Sequence, residues 1–439
     1  MAGSVPISLE SPSPSEPRAS SYLAPLSVLT TLFFMWGFLT SLNDIIIPHL
    51  KAVFELNYFQ AMLVNTAFFM AYFVMSVPSG MIVEKVGYKS GIIIGLLVAA
   101  LGCVVMYPAA SVRSYALFLF ALFVLGSGIT LLQVAANPFV AVLGKPETAS
   151  ARLTLTQAFN SAATFLGPRF GKWAILSTAV LGSLELAKLT PTALEAYKLT
   201  EAKSVQTPYL GLAATLVLLA VAIALFRLPK IEGSSAATAA NGSPDAGGKS
   251  AWSYPHLVLG AVGIFVYVGA EVSIGSVMVN YFKEPFMGGL SAGDAANLLS
   301  YYWLAAMFGR FVGSLTLRFF RPGKILAAHA LIAGLLTIVT MLTVGAVGRW
   351  SIISVGFFNS IMFPTIFTLA LDKLGRHTGQ GSGILCMAIV GGALLPPVLG
   401  AVADGIGIHH CFFIATLCYV YIAWYGIKVR PPAAPALVV

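Results

Sequence analysis

Leu23-Ala-Pro-Leu-Ser-Val-Leu-Thr-Thr-Leu-Phe-Phe-Met-Trp-Gly-Phe-Leu-Thr-Ser-Leu-Asn-Asp-Ile-Ile-Ile-Pro-His-Leu50 is long enough to cross a bilayer, at ~1.5 Å of rise per residue and about 20 residues per span. One carboxylate, Asp44, stands inside this run. A carboxylate in hydrocarbon costs roughly 2.5–3.5 kcal/mol on insertion scales, so its presence needs a reason. Glu271 repeats the anomaly within Ile264-Phe-Val-Tyr-Val-Gly-Ala-Glu-Val-Ser-Ile-Gly275. Two such acids, one near the start of each half of the chain, point to a route for a polar solute or a cation through a membrane.

The rest of the composition agrees. Hydrophobic residues make up 58% of the chain and charged residues 9%. Soluble domains carry about 25% charge, so this chain cannot cover itself with water-compatible surface. It reads as an all-α membrane protein with twelve transmembrane helices. The spans fall near 24–50, 59–82, 90–108, 113–143, 152–177, 208–228, 254–283, 293–318, 324–345, 349–374, 379–404 and 408–428. The net charge of +9 does not indicate nucleic acid, because the basic residues lie in loops. Arg169, Lys172 and Arg310 fall inside spans. The other lysines and arginines divide fifteen to seven in favour of the side that holds both termini, which puts both termini in the cytoplasm. Cys103, Cys386, Cys411 and Cys418 all lie in apolar spans without metal-ligand spacing.

The polar stretch 229–253 has a flexible-linker composition and divides the chain into six-span halves, 23–228 and 254–430. Residues 1–22 and 431–439 are expected to be tails, the first disordered and cytoplasmic. A weak internal repeat relates the halves at an offset of roughly 230 residues. Two six-helix halves related in this way place a site near mid-membrane between them. In the loop after the fifth span, Thr190-Pro-Thr-Ala-Leu-Glu carries a cap, then proline at the first helical position, and predicts a short surface helix.

Helical spacing puts Trp36, Thr40, Asn43 and Asp44 on one stripe. An indole face suits the C–H face of a pyranose, while amides and carboxylates suit its hydroxyls. Gln133 and Asn137 share a face of the fourth span, and Gln157 and Asn160 a face of the fifth. Buried amides also serve as glue between helices, so each counts for less alone than the four do together. Pro138 supplies no N–H to the carbonyl one turn back, which a polar side chain or water must satisfy. Glu271 is a candidate for coupling or substrate binding, and Asn359 and Phe363 ahead of Pro364 are further candidates. Arg310 reads as part of a cytoplasmic gate or as a snorkelling side chain. Arg169 and Lys172 read as snorkelling toward the outer headgroups or as partners of the buried acids. No enzyme motif accompanies the spans, and no ATPase module, so uphill work would draw on an ion gradient.

Leu-Asn-Asp-Ile-Ile-Ile-Pro-His (42–49), Gln-Val-Ala-Ala-Asn-Pro-Phe-Val-Ala-Val-Leu-Gly (133–144), Leu-Thr-Gln-Ala-Phe-Asn-Ser (155–161), Val-Gln-Thr-Pro-Tyr (205–209) and Phe-Pro-Thr-Ile-Phe-Thr-Leu (363–369) resemble the fucose permease branch of the major facilitator superfamily. Within that branch the chain is most similar to bacterial glucose/galactose transporters. The resemblance implies cation-coupled sugar import by alternating access in a bacterial inner membrane, by a monomer, with no cofactor beyond co-transported H⁺ or Na⁺. It implies that Asp44 serves sugar binding and coupling. The fucose/proton symporter uses a glutamate where Gln133 stands here, and glutamine cannot take up a proton. Coupling would then rest on Asp44 together with Glu271, and the cargo would be a glucose- or galactose-type hexose. Fucose, mannose and N-acetylglucosamine are the alternatives, and a drug or amphiphile exporter is a more distant one.

Overall fold

The computed structural model describes residues 20–54, 58–174, 190–204, 206–226 and 250–428, omitting the side chains of 20–22, 41–66, 167–174, 198, 200–204, 292–293 and 376. The expected tails and most of the linker lie outside these residues. The described chain is helical throughout. In order the helices are α1 (Ser20–Phe54), α2 (Tyr58–Ser111), α3 (Tyr115–Val142), α4 (Ala149–Ala174), α5 (Pro191–Ser204), α6 (Gln206–Leu225), α7 (Pro255–Lys283), α8 (Ala292–Thr316), α9 (Pro322–Leu342), α10 (Gly345–Asn359), α11 (Met362–Leu371), α12 (Thr378–Met387), α13 (Gly391–Ile406) and α14 (Phe413–Lys428).

The breaks follow local sequence. Gly87 divides α2 into two arms at φ 82°, a left-handed conformation that glycine adopts without steric cost. Ser114 caps α3 by accepting from the Leu117 N–H, and Ser291 caps α8 by accepting from Asp294. Proline stands at the first turn of α7 and of α9, where its missing N–H has no helical partner to lose. The expected surface helix is α5, and Thr190 accepts from the Ala193 N–H at its start. Arg113 ties α5 down through Glu195 at 2.8 Å, an exposed pair worth at most about 1 kcal/mol.

Among the described residues, eight stretches are long and apolar enough to cross a bilayer by length and composition. One of them, 67–111, holds both arms of α2. Helices α4 and α8 are long enough, at 26 and 25 residues, but carry polar side chains: Gln157, Asn160 and Ser161 on one, Arg310 on the other. Helix α14 is apolar but has only 16 residues. Helices α4 and α8 pack on each other, and Arg310 of α8 reaches Ser161 of α4 across that contact.

Helices α1 to α6 precede the polar stretch 229–253 and α7 to α14 follow it, and these two groups are called the halves of the chain. Helix α2 packs against α12, and α4 against α8, and these pairs join the halves. The α2–α12 contact is a glycine seam. A Cβ on Gly383 would stand 2.6 Å from the Ser76 carbonyl, and one on Gly80 2.8 Å from the Gly379 carbonyl. Beside this seam Glu84 accepts from the backbone N–H of Gln380 at 3.1 Å and from its side-chain amide at 2.9 Å. A carboxylate there also meets the positive end of α12. Nearby, the hydroxyls of Ser150 and Thr368 lie 2.6 Å apart across the halves. The two halves are therefore shut together at the end that carries the α3–α4 and α11–α12 turns.

Candidate functional site

Above this closed end, a cavity of about 210 Å³ lies between the halves. It is smaller than the ~300–1,000 Å³ pockets that hold drug-sized ligands. From the first half it is lined by Trp36 and Thr40 of α1, Phe68, Phe69 and Tyr72 of α2, Gln133 of α3, and Gln157 and Asn160 of α4. From the second half come Tyr267, Val268 and Glu271 of α7, Arg310 of α8, Phe363 of α11 and Ile389. A larger recess of about 790 Å³ opens at the closed end, lined by helix ends and turns that include Tyr88, Glu147, Asp372 and Lys373. Acids and a base line it, but among the described residues no side-chain amide does.

The polar wall of the first half is braced. Gln133 donates to the Tyr72 hydroxyl at 2.5 Å, which holds both side chains at the cavity edge. Asn160 donates to the Phe33 carbonyl at 2.9 Å, one turn below Trp36. This approach needs Gly37, since a Cβ there would stand 2.6 Å from the Asn160 amide nitrogen. Trp36 itself is almost fully buried and packs on Phe33 with ring centroids 4.1 Å apart. Gln157 is also buried at the cavity edge. Its side-chain amide has no hydrogen-bond partner among the described residues and is free to meet a ligand.

The second half contributes charge. The Tyr267 hydroxyl donates to one oxygen of Glu271 at 2.8 Å. Arg310 donates through Nε to the Ser360 carbonyl at 3.2 Å and through Nη1 to the hydroxyl of Ser161 on the opposite half. Its guanidinium lies within electrostatic reach of both Glu271 and Tyr267. Arg310 therefore neither snorkels nor stands in the closed gate; it lines the central cavity. Pro364 explains its fixed orientation: lacking an N–H, it leaves the carbonyl of Ser360 without its partner one turn on, and Nε fills the place. Pro138 does the same to Val134, whose carbonyl accepts from Ser382 of α12 at 2.9 Å. The polar side chain that Pro138 demands comes from the other half of the molecule.

The structure brings Trp36, Gln133, Gln157, Asn160, Glu271 and Phe363 around one cavity. It does not bring Asn137 or Asn359 there. Both are completely buried, and Asn359 donates to the Tyr302 hydroxyl at 2.9 Å. Both side-chain atoms of Asn137 lack a protein partner. Asn43 and Asp44 lie in α1, and Arg169 and Lys172 in α4, but their side chains are outside the described residues. The sequence reading does not single out Phe68, Phe69 and Tyr72 of α2, although Asn65 precedes them at helical spacing and marks their face.

Residues 29–389 match the family model described as the Major Facilitator Superfamily. The glucose/galactose transporter of Brucella abortus biovar 1 (strain 9-941) is 53% identical over 407 residues, covering 93% of this chain and 94% of that one. The L-fucose-proton symporter of Escherichia coli (strain K12) is 38% identical over 407 residues, covering 92% and 93%. A crystal structure of FucP, a major facilitator transporter in the outward conformation, superposes with a TM-score of 0.85 at 37% identity, over 92% of this chain and 98% of that one.

Proposed function

The chain belongs to the major facilitator superfamily, and from that premise we propose that it imports a glucose- or galactose-type hexose against its gradient, coupled to H⁺ or Na⁺. The observation that carries this reading is the central cavity: an indole, three amides, an acid and a guanidinium converge on a space of about 210 Å³. Such a lining offers a pyranose an apolar face and many hydroxyl partners. An amphiphile would leave those polar groups unpaired. The similarity to a glucose/galactose transporter over nearly the whole chain supports the same cargo.

The proposed architecture has twelve spans in two six-helix halves, 23–228 and 254–430, with both termini in the cytoplasm of a bacterial cell and the chain in its inner membrane. Counting each arm of α2 as a span, and counting α10 with α11 and α12 with α13 as single broken spans, supports that number. The closed end is then the cytoplasmic one. In the working cycle, Trp36, Asn43, Gln133, Asn137, Gln157, Asn160, Asn359 and Phe363 serve sugar binding, some directly and some by holding the helices that line the cavity. Asp44 and Glu271 serve coupling. An empty, charged acid opposes burial as the halves close over it, and H⁺ or Na⁺ removes that penalty. No cofactor is required, and a monomer suffices.

The test is uptake of glucose, galactose, mannose, N-acetylglucosamine and fucose by proteoliposomes under separate Na⁺ and pH gradients. Uphill uptake of glucose or galactose under one gradient is expected. Asp44→Asn should abolish accumulation and retain sugar exchange. Normal uphill uptake by that variant defeats the coupling assignment, and absence of any hexose uptake by the unaltered chain defeats the function.

A further inference from the structure

The C-terminal wall of the cavity holds an acceptor and a donor side by side, both only partly used. Glu271 accepts from Tyr267 at Oε1, and among the described residues its Oε2 has no partner. Arg310 spends Nε on the Ser360 carbonyl and Nη1 on the Ser161 hydroxyl and, at 3.5 Å, the Gln157 carbonyl, and among the described residues its Nη2 has no partner. Both residues line the cavity, and the charge of one acts on the other. Yet they do not close on each other: no ion pair within 4.0 Å joins them, as one joins Arg113 and Glu195. The guanidinium is held by three other contacts, and Glu271 and Arg310 line the same cavity as Gln157 and Asn160 of α4.

Resting on the sugar-transport reading, we propose that Glu271 and Arg310 form a vicinal-diol clamp, and that Arg310 is a specificity-determining residue. One ring hydroxyl donates to Glu271 Oε2, and its neighbour accepts from Arg310 Nη2. Planar guanidinium geometry fixes the direction of the donated bond, which a flexible ammonium would not do. A charged donor and acceptor, kept apart in the empty state, discriminate against a sugar that lacks either hydroxyl, because each is then left unpaired in a dry site. The same arrangement places the sugar between Arg310 on one half and Gln157 and Asn160 on the other, so the cargo itself bridges the halves.

The experiment uses the full chain in proteoliposomes, with D-glucose and D-galactose uptake competed by the complete set of monodeoxy analogues. In the unaltered chain, removal of either of two adjacent hydroxyls should weaken competition by about tenfold or more. Arg310→Gln should raise KM and erase the penalty at one of those two positions while leaving it at the remaining ones. Arg310→Lys should not restore it. Glu271→Gln should erase or reverse the penalty at the adjacent position. Ser161→Ala removes one of the three contacts on the guanidinium and leaves those to the Ser360 and Gln157 carbonyls, so it should keep the full deoxy-sugar profile. The clamp is overturned if Arg310→Gln weakens all analogues uniformly or leaves the profile unchanged, or if Ser161→Ala flattens it as Arg310→Gln does, since Arg310 would then be a strap. Should Arg310→Gln fail to insert, a wild-type profile in Glu271→Gln overturns the clamp by itself. An unaltered chain that moves neither hexose overturns the transport reading, and the clamp with it.

Discussion

The hydroxyl of Ser382 donates to the carbonyl of Val134, 2.9 Å away and on the opposite half of the molecule. The bond exists because Pro138 has no N–H to give that carbonyl. Gln133, the residue before Val134, lines the central cavity and holds Tyr72. A residue at the seam between the halves thus fastens the backbone next to a residue at the site. Pro364 stands at the equivalent point of the second half, and there Arg310 takes the freed Ser360 carbonyl. Both prolines turn a backbone acceptor, which an unbroken helix would consume, into a contact for a side chain near the cavity.

Ser382→Ala should weaken the closed arrangement. It leaves a fully buried carbonyl unpaired, at a cost of about 1–3 kcal/mol. That cost falls on the state in which α3 and α12 touch and disappears when they separate. Hydrogen exchange across 378–387 should therefore quicken in the variant, with smaller change in α9 and α14. Unchanged exchange at 378–387 would mean that the bond contributes nothing to closure.

Gly383→Val should block closure at the same end by sterics. A Cβ at this position would stand 2.6 Å from the backbone oxygen of Ser76, which cannot swing aside as a side chain can. The expected phenotype is loss of uphill uptake with retained sugar binding, measured as accumulation in vesicles against binding to the solubilised protein. Gly211→Ala, at a glycine whose Cβ meets nothing within 4 Å, is the matched control and should transport normally.

How far the sequence reaches is clearest in particular residues. Hydropathy and proline positions find the helices because a lipid-exposed backbone must satisfy its own hydrogen bonds. The amides Gln133, Gln157 and Asn160 stand out because polar groups are conspicuous in apolar runs, and they do line one cavity. Asn137 and Asn359 stand out equally and lie elsewhere in the buried interior, since spacing on one helix cannot say which neighbour covers a face. Arg310 was legible as an anomaly, but its role was not. Its orientation depends on Ser360 and Ser161, which are distant in sequence and meet it only when the helices pack. The aromatic wall of α2 had one sequence signal, Asn65 at helical spacing before Phe68, Phe69 and Tyr72.

Gln133→Ala should raise KM more than it lowers turnover. It removes a cavity amide and releases the Tyr72 hydroxyl, which is buried and has its bond from Gln133. Loss of one such bond and one ligand contact is worth roughly 1–3 kcal/mol, about 5-fold to 150-fold in affinity. Gln133→Glu restores a partner for Tyr72 and adds a group able to take up a proton. Its transport should depend more steeply on pH than that of the unaltered chain. Hexose uptake across a pH series for the three proteins checks both expectations, and a Gln133→Ala variant with unaltered KM would remove Gln133 from the site.

His409 gives the chain an acid-sensitive stability. It lies in the turn between α13 and α14, with its ring against Phe286 at 4.8 Å and its Nδ1 3.2 Å from the Tyr281 hydroxyl. Burial holds its pKa below the ordinary 6.5, and the neighbouring His410 charge pushes in the same direction. The sign follows from proton counting. Below about 6.5 the unfolded chain takes up a proton that the folded chain still refuses, so acid favours unfolding. The loss begins as the pH falls through the unfolded value and levels off below the folded one. His409→Phe keeps an aromatic ring on Phe286 and removes the titration. The melting temperature of the solubilised variant should therefore fall less than that of the parent as the pH drops from neutral, and a pair of parallel Tm–pH curves would show that His409 makes no contribution.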